Sequence, residues 1–422
     1  MRSDQTSAPV CQMRAATVQG VIPLEDAQSF VLSQCPPRQP VTMASRDAGG
    51  LVLAADVTSV EVVPPFDNTA VDGYAVRSAD LATVPVVLTV VDEIAAGSVS
   101  DHVLQPGEAI RIMTGAPVPA GADTMVMVED TERVGDHQVS INVASEPGAA
   151  IRRAGEDVKV GDVVLSAGTV ITPAVVGVLA SINARQVEVF PRVRVAVLST
   201  GDELVTDDRP LKPGEIRESN SQTLVGLLTE AGCDVGNLGV IADDEAELER
   251  LLTEAASDYD AIVTSGGVSM GDYDVVKAVL GRIADMNWMQ VAIKPAKPFA
   301  FGTIAGVPVF GLPGNPVSSI VSFEMFTRPA LRQMMGHRRL ARPGVIAIAD
   351  DGLTRKNGDG KTHLLRINTR WDDDGRCHVT SVRAQGSHQL AASALADGLA
   401  VVADEGGIPP GDEVFVLLFD SR

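Results

Sequence analysis

Cysteine is scarce, and its spacing excludes two kinds of site. The chain has four cysteines in 422 residues, and no two of them form a CxxC pair. This spacing argues against a structural zinc site and favours reduced thiols over a disulfide framework. No run of eighteen apolar residues occurs, and residues 1–10 lack the apolar core of a signal peptide. These absences predict a cytoplasmic protein without a membrane span.

Positive charge is also scarce. Lysine and arginine total 34 against 55 aspartates and glutamates, a net charge of −21. Such a balance argues against general binding to nucleic acid or to anionic membranes. An anionic substrate must therefore meet a local basic cluster. Hydrophobic content of 45% is typical of a globular chain, and the length predicts roughly three domains.

The most informative stretch is residues 261–274, AIVTSGGVSMGDYD. An apolar run that breaks into glycines predicts a buried parallel strand followed by a loop whose backbone can approach a ligand closely. Ser265 and Ser269 can hold phosphate or pterin polar groups, and Asp272 and Asp274 can hold a hard cation. The alternative is a tight connection in which the acids cap the next helix.

Residues 193–335 alternate between strand and helix patterns, which predicts a doubly wound parallel sheet with ligands at the carboxyl ends of its strands. Mg²⁺ needs only one or two carboxylates. Asp243 and Asp244 precede a helix, so they have an alternative interpretation as caps. The acids at the predicted strand ends are Asp202, Glu203, Asp243, Asp244, Asp272 and Asp274.

The remaining sequence has the pattern of short strands. Residues 85–143 predict a β domain, and the chain after Pro343 predicts a small β-barrel or sandwich. Residues 41–63 predict a short helix followed by an extended segment. The fold class is therefore α/β plus β, in several domains.

Three further segments carry candidate anion ligands. Lys294 and Lys297 lie in IKPAKPF, where prolines fix the backbone and favour an anion site over a solvated surface pair. The segment GLPGNPVSS enters a helix whose free N–H groups suit an oxyanion, although Ser318 can also be an ordinary first-turn residue. Arg366 can offer a bidentate fork. His388, in QGSH, is interpreted as a hydrogen-bonding loop residue.

Taken together, these segments resemble the MoeA family of molybdenum-insertion enzymes, whose relatives include the E domains of gephyrin and of plant Cnx proteins. The resemblance is collinear over about residues 17–420. It rests on eight motifs in order: PPFDNTAVDGYAVR, IRIMTGAPVP, IRRAGEDV, STGDEL, TSGGVSMGDYD, VAIKPAKPFAFG, GLPGNPVSS and QGSH.

The resemblance implies a four-domain homodimer with its active site at the subunit interface. The implied domains are a MogA-like, doubly wound and mainly parallel α/β domain (17–40 and 188–340), a linker domain (41–62 and 150–187), a β domain (63–149) and a C-terminal β-barrel-like domain (341–422). It further implies that adenylylated molybdopterin and molybdate react in the presence of Mg²⁺ to give molybdenum cofactor and AMP. A MogA-type adenylyltransferase is the expected partner.

The resemblance also implies roles for individual residues. Glu203 and Asp272 correspond to Mg²⁺ ligands, and Asp72, Thr114 and Asp272 to catalytic residues, the first two supplied by the other protomer. The expected molybdate-binding residues are Lys294, Lys297, Ser318, Arg366 and Ser387. The expected substrate-binding residues are Asp157, Asp243, Ser265, Gly266, Gly267, Ser269, Pro313 and Gly314.

Departures from the family pattern define what remains open. Val71 replaces methionine in MDGY, Ala296 replaces the glycine of PGKP, and Gln290 replaces a common lysine. If position 296 needs a positive φ, its alanine is strained. The alternatives are a non-catalytic scaffold like the gephyrin E domain, or a CinA-type nucleotide pyrophosphatase. The choice between molybdate and tungstate is left open.

Overall fold

The structure is a computed structural model that describes residues 20–268, 275–354, 358–373, 375–403 and 406–419. The chain forms two compact units. One comprises the chain up to Val41 together with Phe190–Arg422, and the other comprises Thr42–Val189. Within the described residues, no helix is long and apolar enough to cross a membrane. The finer division into four domains stays a prediction.

The first unit is built on a seven-stranded sheet. Only Pro298–Ile304 runs antiparallel to its neighbours, so the predicted, mainly parallel arrangement is confirmed. The strands, in spatial order, are Val21–Ile22, Asp285–Val291, Pro298–Ile304, Val307–Leu312, Ala261–Ser265, Arg194–Thr200 and Asp234–Ile241. The Ala261–Ser265 strand is buried throughout, as its apolar run predicts.

Helices cover this sheet with apolar faces. Their bounds are Leu24–Ser33, Asn220–Ala231, Glu245–Asp258, Val275–Ile283, Pro316–Ser322 and Arg328–Met334. The last two are joined by a buried π-helical segment, Phe323–Thr327. Pro329 explains the wider turn, because a proline ring in an unbroken α-helix clashes with the carbonyl four residues earlier. A short parallel pair, Leu204–Val205 with Ile216–Arg217, lies beside the sheet.

A closed five-stranded barrel follows in the same unit. Thr362–Trp371 pairs with strands on both sides, which closes the sheet and removes its edges. The other strands are Gly344–Ala349, Cys377–Ser381, Gly398–Val402 and Glu413–Leu418. Ile293–Lys294 adds to Thr362–Trp371, Leu353–Thr354 pairs with Gly407–Ile408, and a short helix spans Leu390–Ala394. The predicted C-terminal β-barrel is confirmed.

The second unit is mostly β. Its main sheet contains Thr131–Arg133, Gln138–Ile141, Val86–Ile94, Glu108–Ile112, Gly73–Val76 and Thr124–Met127. Smaller sheets contain Val41–Ala44, Gln186–Phe190 and Val52–Leu53; Ile151–Arg152 and Asn68–Thr69; and Val163–Leu165 and Val57–Thr58. The helix is Pro173–Ser181, and single 3-10 turns occupy Ser45–Asp47, Ser78–Leu81 and Val128–Asp130. The prediction of a short helix that begins the segment 41–63 is wrong, because residues 41–44 form a strand and only a 3-10 turn follows.

A buried ion pair ties the barrel's entry to the helical layer. Both nitrogens of the Arg342 fork donate to the Glu324 carboxylate, at 3.0 and 2.9 Å, and Arg328 lies 3.9 Å from the same carboxylate. The Glu324 and Arg342 side chains are 1% and 2% exposed. Removing one partner of such a pair leaves an uncompensated buried charge.

Glu324→Ala is therefore expected to lower the free energy of unfolding by about 3–5 kcal/mol. Urea unfolding followed by circular dichroism measures this change. The matched control is Glu254→Ala, which breaks the exposed Arg250–Glu254 pair and is expected to cost less than about 0.5 kcal/mol. A loss below about 1 kcal/mol for Glu324→Ala would contradict the role given to this pair.

Candidate functional site

A cavity of about 520 Å³ opens at the carboxyl ends of the parallel strands in the first unit. Two parallel strands end at its walls, Arg194–Thr200 and Ala261–Ser265. The segment that follows the strand Val307–Leu312 also lines it. Ligands of doubly wound sheets bind at this edge. The sequence-predicted residues that line the cavity are Glu203, Asp243, Ser265, Gly266, Gly267, Pro313 and Gly314.

The glycine loop after Ser265 depends on backbone conformations that only glycine adopts easily. Gly266 has φ 95° and Gly267 has φ 76°. A Cβ atom on Gly267 would lie 2.2 Å from the Cβ of Val276, so no larger residue fits there. Both positions therefore need glycine, and the loop presents its backbone to the cavity, as the sequence predicts.

Asn220 joins three chain segments around this cavity, and the sequence interpretation missed it. Its Nδ2 donates to the Ser265 hydroxyl at 2.8 Å and to the Gly314 carbonyl at 2.7 Å. The signal was weak, because its partners are 45 and 94 residues away in sequence. A polar residue opening a helix is ordinarily interpreted as a cap.

Glu218 is a second missed residue of the cavity wall. Its carboxylate accepts from the Ser199 hydroxyl at 3.0 Å and from the Ser221 amide and hydroxyl, both at 2.7 Å. The carboxylate thus binds the first turn of the Asn220–Ala231 helix, where the helix dipole favours negative charge. Glu218 fixes Asn220 in place beside the strand end.

The acids of the cavity can be tested as a cation site. Glu203 and Asp243 line the cavity and are exposed to it. Within the described residues, no group of three or more histidines, cysteines or acids is close enough to enclose a metal. This donor set suits Mg²⁺, which takes one or two carboxylates and completes its shell with water and phosphate oxygens. Asp272 and Ser269, also predicted for this site, lie outside the described residues.

The neighbouring acids separate into two roles. Asp244 accepts from the Ala246 and Glu247 amides at 2.9 and 3.1 Å, so it is the N-cap of the Glu245–Asp258 helix. Its interpretation as a cap is confirmed. Asp202 accepts from the Asp243 amide at 3.1 Å and so holds Asp243 at the cavity wall.

A second cavity of about 520 Å³ adjoins the first. Lys297 lines the second cavity and Pro298 the first, while Pro316 lines the first and Ser318 the second. The sequence-predicted residues on its wall are Lys294, Lys297, Ser318 and Ser387. Lys361, which directly precedes the Thr362–Trp371 strand, and His363, within that strand, also line the second cavity and were missed.

The backbone between the two lysines is strained, because position 296 does need a positive φ. Ala296 has φ 74° and is 3% exposed, so an alanine occupies the left-handed region that favours glycine. For a residue with a Cβ this conformation costs roughly 1–2 kcal/mol. The strained turn places Lys294 and Lys297 on the same cavity.

Arg366 is placed differently from the sequence prediction. Its side chain, 2% exposed, donates from one nitrogen to the Gln389 carbonyl at 2.9 Å and to the Ser393 hydroxyl at 3.1 Å. Its other nitrogen donates to the Gly386 carbonyl at 3.1 Å. In this structure Arg366 therefore braces the loop that carries Ser387, behind the cavity wall, rather than offering its fork to an oxyanion.

The second unit holds the other predicted catalytic residues. The Asp72 carboxylate accepts from both the amide and the hydroxyl of Thr114, each at 2.7 Å. These hydrogen bonds, the backbone one first, lower the pKa of Asp72 below its ordinary value. Both side chains are exposed, and the Asp72 carboxylate is ionised near pH 7. Asp157 is also exposed in this unit.

Comparisons with known proteins match the chain along most of its length. The "MoeA N-terminal region (domain I and II)" matches residues 22–183. The "Probable molybdopterin binding domain" matches residues 196–333, and the "MoeA C-terminal region (domain IV)" matches residues 351–419.

Individual relatives agree with these matches. The molybdopterin molybdenumtransferase of Haemophilus influenzae is 38% identical over 95% of this chain and 99% of its own length. Molybdopterin molybdenumtransferase 2 of Mycobacterium tuberculosis is 41% identical over 90% of this chain and 95% of its own.

A solved structure supports the same conclusion. The MoeA protein of Pyrococcus horikoshii superposes with a TM-score of 0.79 at 30% identity, over 95% of this chain and all of that one. The resemblance inferred from the eight motifs is thereby confirmed, and so is the prediction of an enzyme. The chain belongs to the MoeA family of molybdopterin molybdenumtransferases.

Proposed function

We propose that this protein transfers molybdenum from molybdate to adenylylated molybdopterin, in a Mg²⁺-dependent reaction that releases AMP. The observation that carries the proposal is the adjoining pair of cavities in one unit. One offers carboxylates and a glycine loop, and the other offers lysines and serines. The first suits a pyrophosphate with its cation, and the second suits an oxyanion.

In the first cavity, the chain's own groups hold and orient the adenylylated substrate. The backbone of Gly266 and Gly267 can lie directly against a phosphate because neither residue carries a side chain. The Pro316–Ser322 helix begins at the same wall, where the positive end of the helix dipole favours an anion. Asn220 keeps these two loops at a fixed separation.

Glu203, with Asp243 beside it, would hold the cation, and Asp272 is proposed as a further ligand. When bound, Mg²⁺ neutralises charge on the pyrophosphate and polarises it. Six carboxylates would be more than this ion requires. Asp244 and Asp202 are therefore assigned to structural roles.

In the second cavity, Lys294, Lys297 and Lys361 supply the positive charge that a dianionic molybdate needs on a chain of net charge −21. Ser318 and Ser387 supply hydroxyls. As the dithiolene sulfurs bind molybdenum, an oxygen of molybdate leaves with the two thiol protons as water. Hydrolysis of the phosphoanhydride consumes one water and yields AMP. The shared wall holds both reactants together, so their reaction becomes effectively intramolecular.

Asp72, Thr114 and Asp157 are proposed to complete the site within a homodimer, the partner protomer supplying them. Support comes from the Asp72 carboxylate, which two hydrogen bonds keep ionised and oriented although it is exposed. A surface acid held this firmly suits contact with a substrate group. The MogA-type adenylyltransferase partner and the cytoplasmic location stay predictions.

Glu203→Ala is expected to reduce Mg²⁺-dependent AMP release at least 100-fold, because a cation ligand is lost while the fold is retained. Chromatography of AMP released from adenylylated molybdopterin, with and without molybdate, measures the effect. Glu254→Ala, on an exposed helix face, is the matched control. Unchanged release by Glu203→Ala would remove this residue from the cation site, and absence of any release by the wild type would favour a scaffold instead.

Lys297→Ala and Lys361→Ala are each expected to raise the molybdate concentration for half-maximal cofactor formation by about 10–100-fold. The reason is that a charge-assisted hydrogen bond to an anion is worth about 1.5–3 kcal/mol. Molybdate titration of cofactor formation measures the shift. Lys159→Ala, in the other unit and exposed, controls for lost charge. A shift below twofold at Lys361 would exclude it from oxyanion binding.

Mixed dimers test the partner-supplied site. At the molybdate concentration that half-saturates the wild type, Asp72→Ala and Lys297→Ala homodimers are both expected to retain little activity. A heterodimer of the two, isolated after coexpression with different tags, is expected to regain about half the wild-type activity, because one of its two sites combines both intact residues. If Asp72 acted within its own protomer, every site of the heterodimer would lack one residue and no activity would return.

A further inference from the structure

The first cavity extends across several strands of the sheet, so it has two distinct ends. Pro298 lines one end, and Asp243, which follows the last strand of the sheet, lines the other. Four strand spacings of about 4.8 Å place these ends roughly 19 Å apart. The second cavity adjoins the Pro298 end through Lys297. The strands, in spatial order from Pro298, are Pro298–Ile304, Val307–Leu312, Ala261–Ser265, Arg194–Thr200 and Asp234–Ile241.

This order restricts how the adenylylated substrate can lie, if the function proposed above is correct. Adenylylated molybdopterin carries its dithiolene and its adenosine on opposite sides of the pyrophosphate. The dithiolene must reach molybdate in the second cavity, so the pterin lies at the Pro298 end. The glycine loop proposed for the pyrophosphate follows the central strand, Ala261–Ser265. The adenosine is therefore directed to the opposite end, beyond the Arg194–Thr200 strand.

An apolar pair lies at that opposite end. Leu204 is paired in register with Ile216, so their side chains lie on the same face of the two short strands. Both residues line the cavity, and Ile216 is 53% exposed. A single exposed isoleucine on a surface would need no explanation. Two apolar residues side by side, next to the polar wall of Thr200 and Glu203, offer a contact for a flat ring rather than for a phosphate or a cation.

Ion pairing and hydrogen bonding fix the connection between these two strands. Both terminal nitrogens of Arg209 donate to the Glu215 carboxylate, at 2.6 and 2.9 Å. These bonds, followed by one from the Lys212 amide, lower the pKa of Glu215 to about 2. Arg217 points to the opposite face from Ile216 and donates to the carbonyls of Asp207 and Arg209. The apolar pair is therefore held in place before a ligand binds, which lowers the ordering cost of binding.

The apolar pair is also joined directly to the proposed cation ligand. Glu203 immediately precedes Leu204, and the Glu203 carbonyl accepts from the Ile216 amide at 2.9 Å. The Glu218 amide donates in turn to the Val205 carbonyl at 3.1 Å. A phosphate whose cation is bound by Glu203 thus lies close to the apolar pair. In AMP the phosphate and the base are separated only by the ribose, which matches this arrangement.

We propose that Leu204 and Ile216 form the subsite for the adenine ring, both of adenylylated molybdopterin and of the AMP that is released. The ring covers the exposed apolar surface of Ile216, and removing such surface from water stabilises the complex. The phosphate lies toward Glu203 and the glycine loop. The pterin occupies the other end of the cavity, beside Pro298.

Isothermal titration of the full chain with AMP and with pyrophosphate, both in the presence of Mg²⁺, tests the subsite. Ile216→Ser is expected to weaken AMP binding about fivefold or more, because apolar contact with the ring is lost. Pyrophosphate has no ring, so its affinity is expected to change less than twofold. Ile216→Val keeps most of the apolar surface and is expected to bind AMP within twofold of the wild type.

The matched control is Ile346→Ser, at a 58% exposed position on the Gly344–Ala349 barrel strand. It removes the same side chain and is expected to leave the affinity for both ligands within twofold of the wild type. Because Ile216 and Ile346 are both exposed, both variants are expected to fold, and circular dichroism checks this.

Three results would overturn the subsite. They are no binding of AMP to the wild type at millimolar concentration, unchanged AMP affinity in Ile216→Ser, and an equal loss of AMP and pyrophosphate affinity in that variant. Weaker binding of adenylylated molybdopterin with unchanged binding of AMP would place the pterin here and overturn it as well. AMP binding requires no turnover, so a wild type that binds AMP but never releases it from the substrate would contradict the proposed reaction and not the subsite.

Discussion

One side-chain amide holds the proposed site together. The two hydrogen bonds that Asn220 donates, to Ser265 and to the Gly314 carbonyl, join three chain segments at the carboxyl ends of the sheet. The glycine loop and the start of the Pro316–Ser322 helix keep their separation because of it. The second cavity depends on the same constraint, since Ser318 lies in the first turn of that helix. Exposed loops without such hydrogen bonds would not hold two cavities at a fixed separation.

The parts of the fold that the sequence predicts well are those with a local cause. The Ala261–Ser265 strand and the Glu245–Asp258 helix follow from continuous or periodic apolar residues and from local capping. The hairpin of Pro298–Ile304 and Val307–Leu312 was not anticipated, because its prolines resemble strand breakers. Pro298 and Pro308 nevertheless sit in the paired register, opposite Gln290 and Thr303. Pairing within the sheet, rather than the local sequence, determines that these residues lie in strands.

The residues of the proposed site also divide into those that the local sequence predicts and those that depend on tertiary structure. Ser265, Gly266 and Gly267 were predictable because a glycine loop after a buried strand has a direct physical meaning. Glu218 and Asn220 were not, since only tertiary structure brings them to the Ser199 and Ser265 hydroxyls. The role of Arg366 in oxyanion binding stays a prediction, and its placement differs from the one that the sequence suggests. An arginine in a strand suggests an anion fork, yet burial at 2% exposure directs its donors to backbone carbonyls.

A strongly acidic chain that handles anions must concentrate its few cations. At an effective dielectric constant of 20, two unit charges 8 Å apart interact by about 2 kcal/mol, so a few lysines decide the local field regardless of the distant acids. In the second cavity, the strained turn at Ala296 concentrates positive charge, because this backbone conformation places two lysines on one wall. Net charge therefore describes the chain's surface, whereas its capacity for anions is set by which cations the fold brings within a few ångströms of each other.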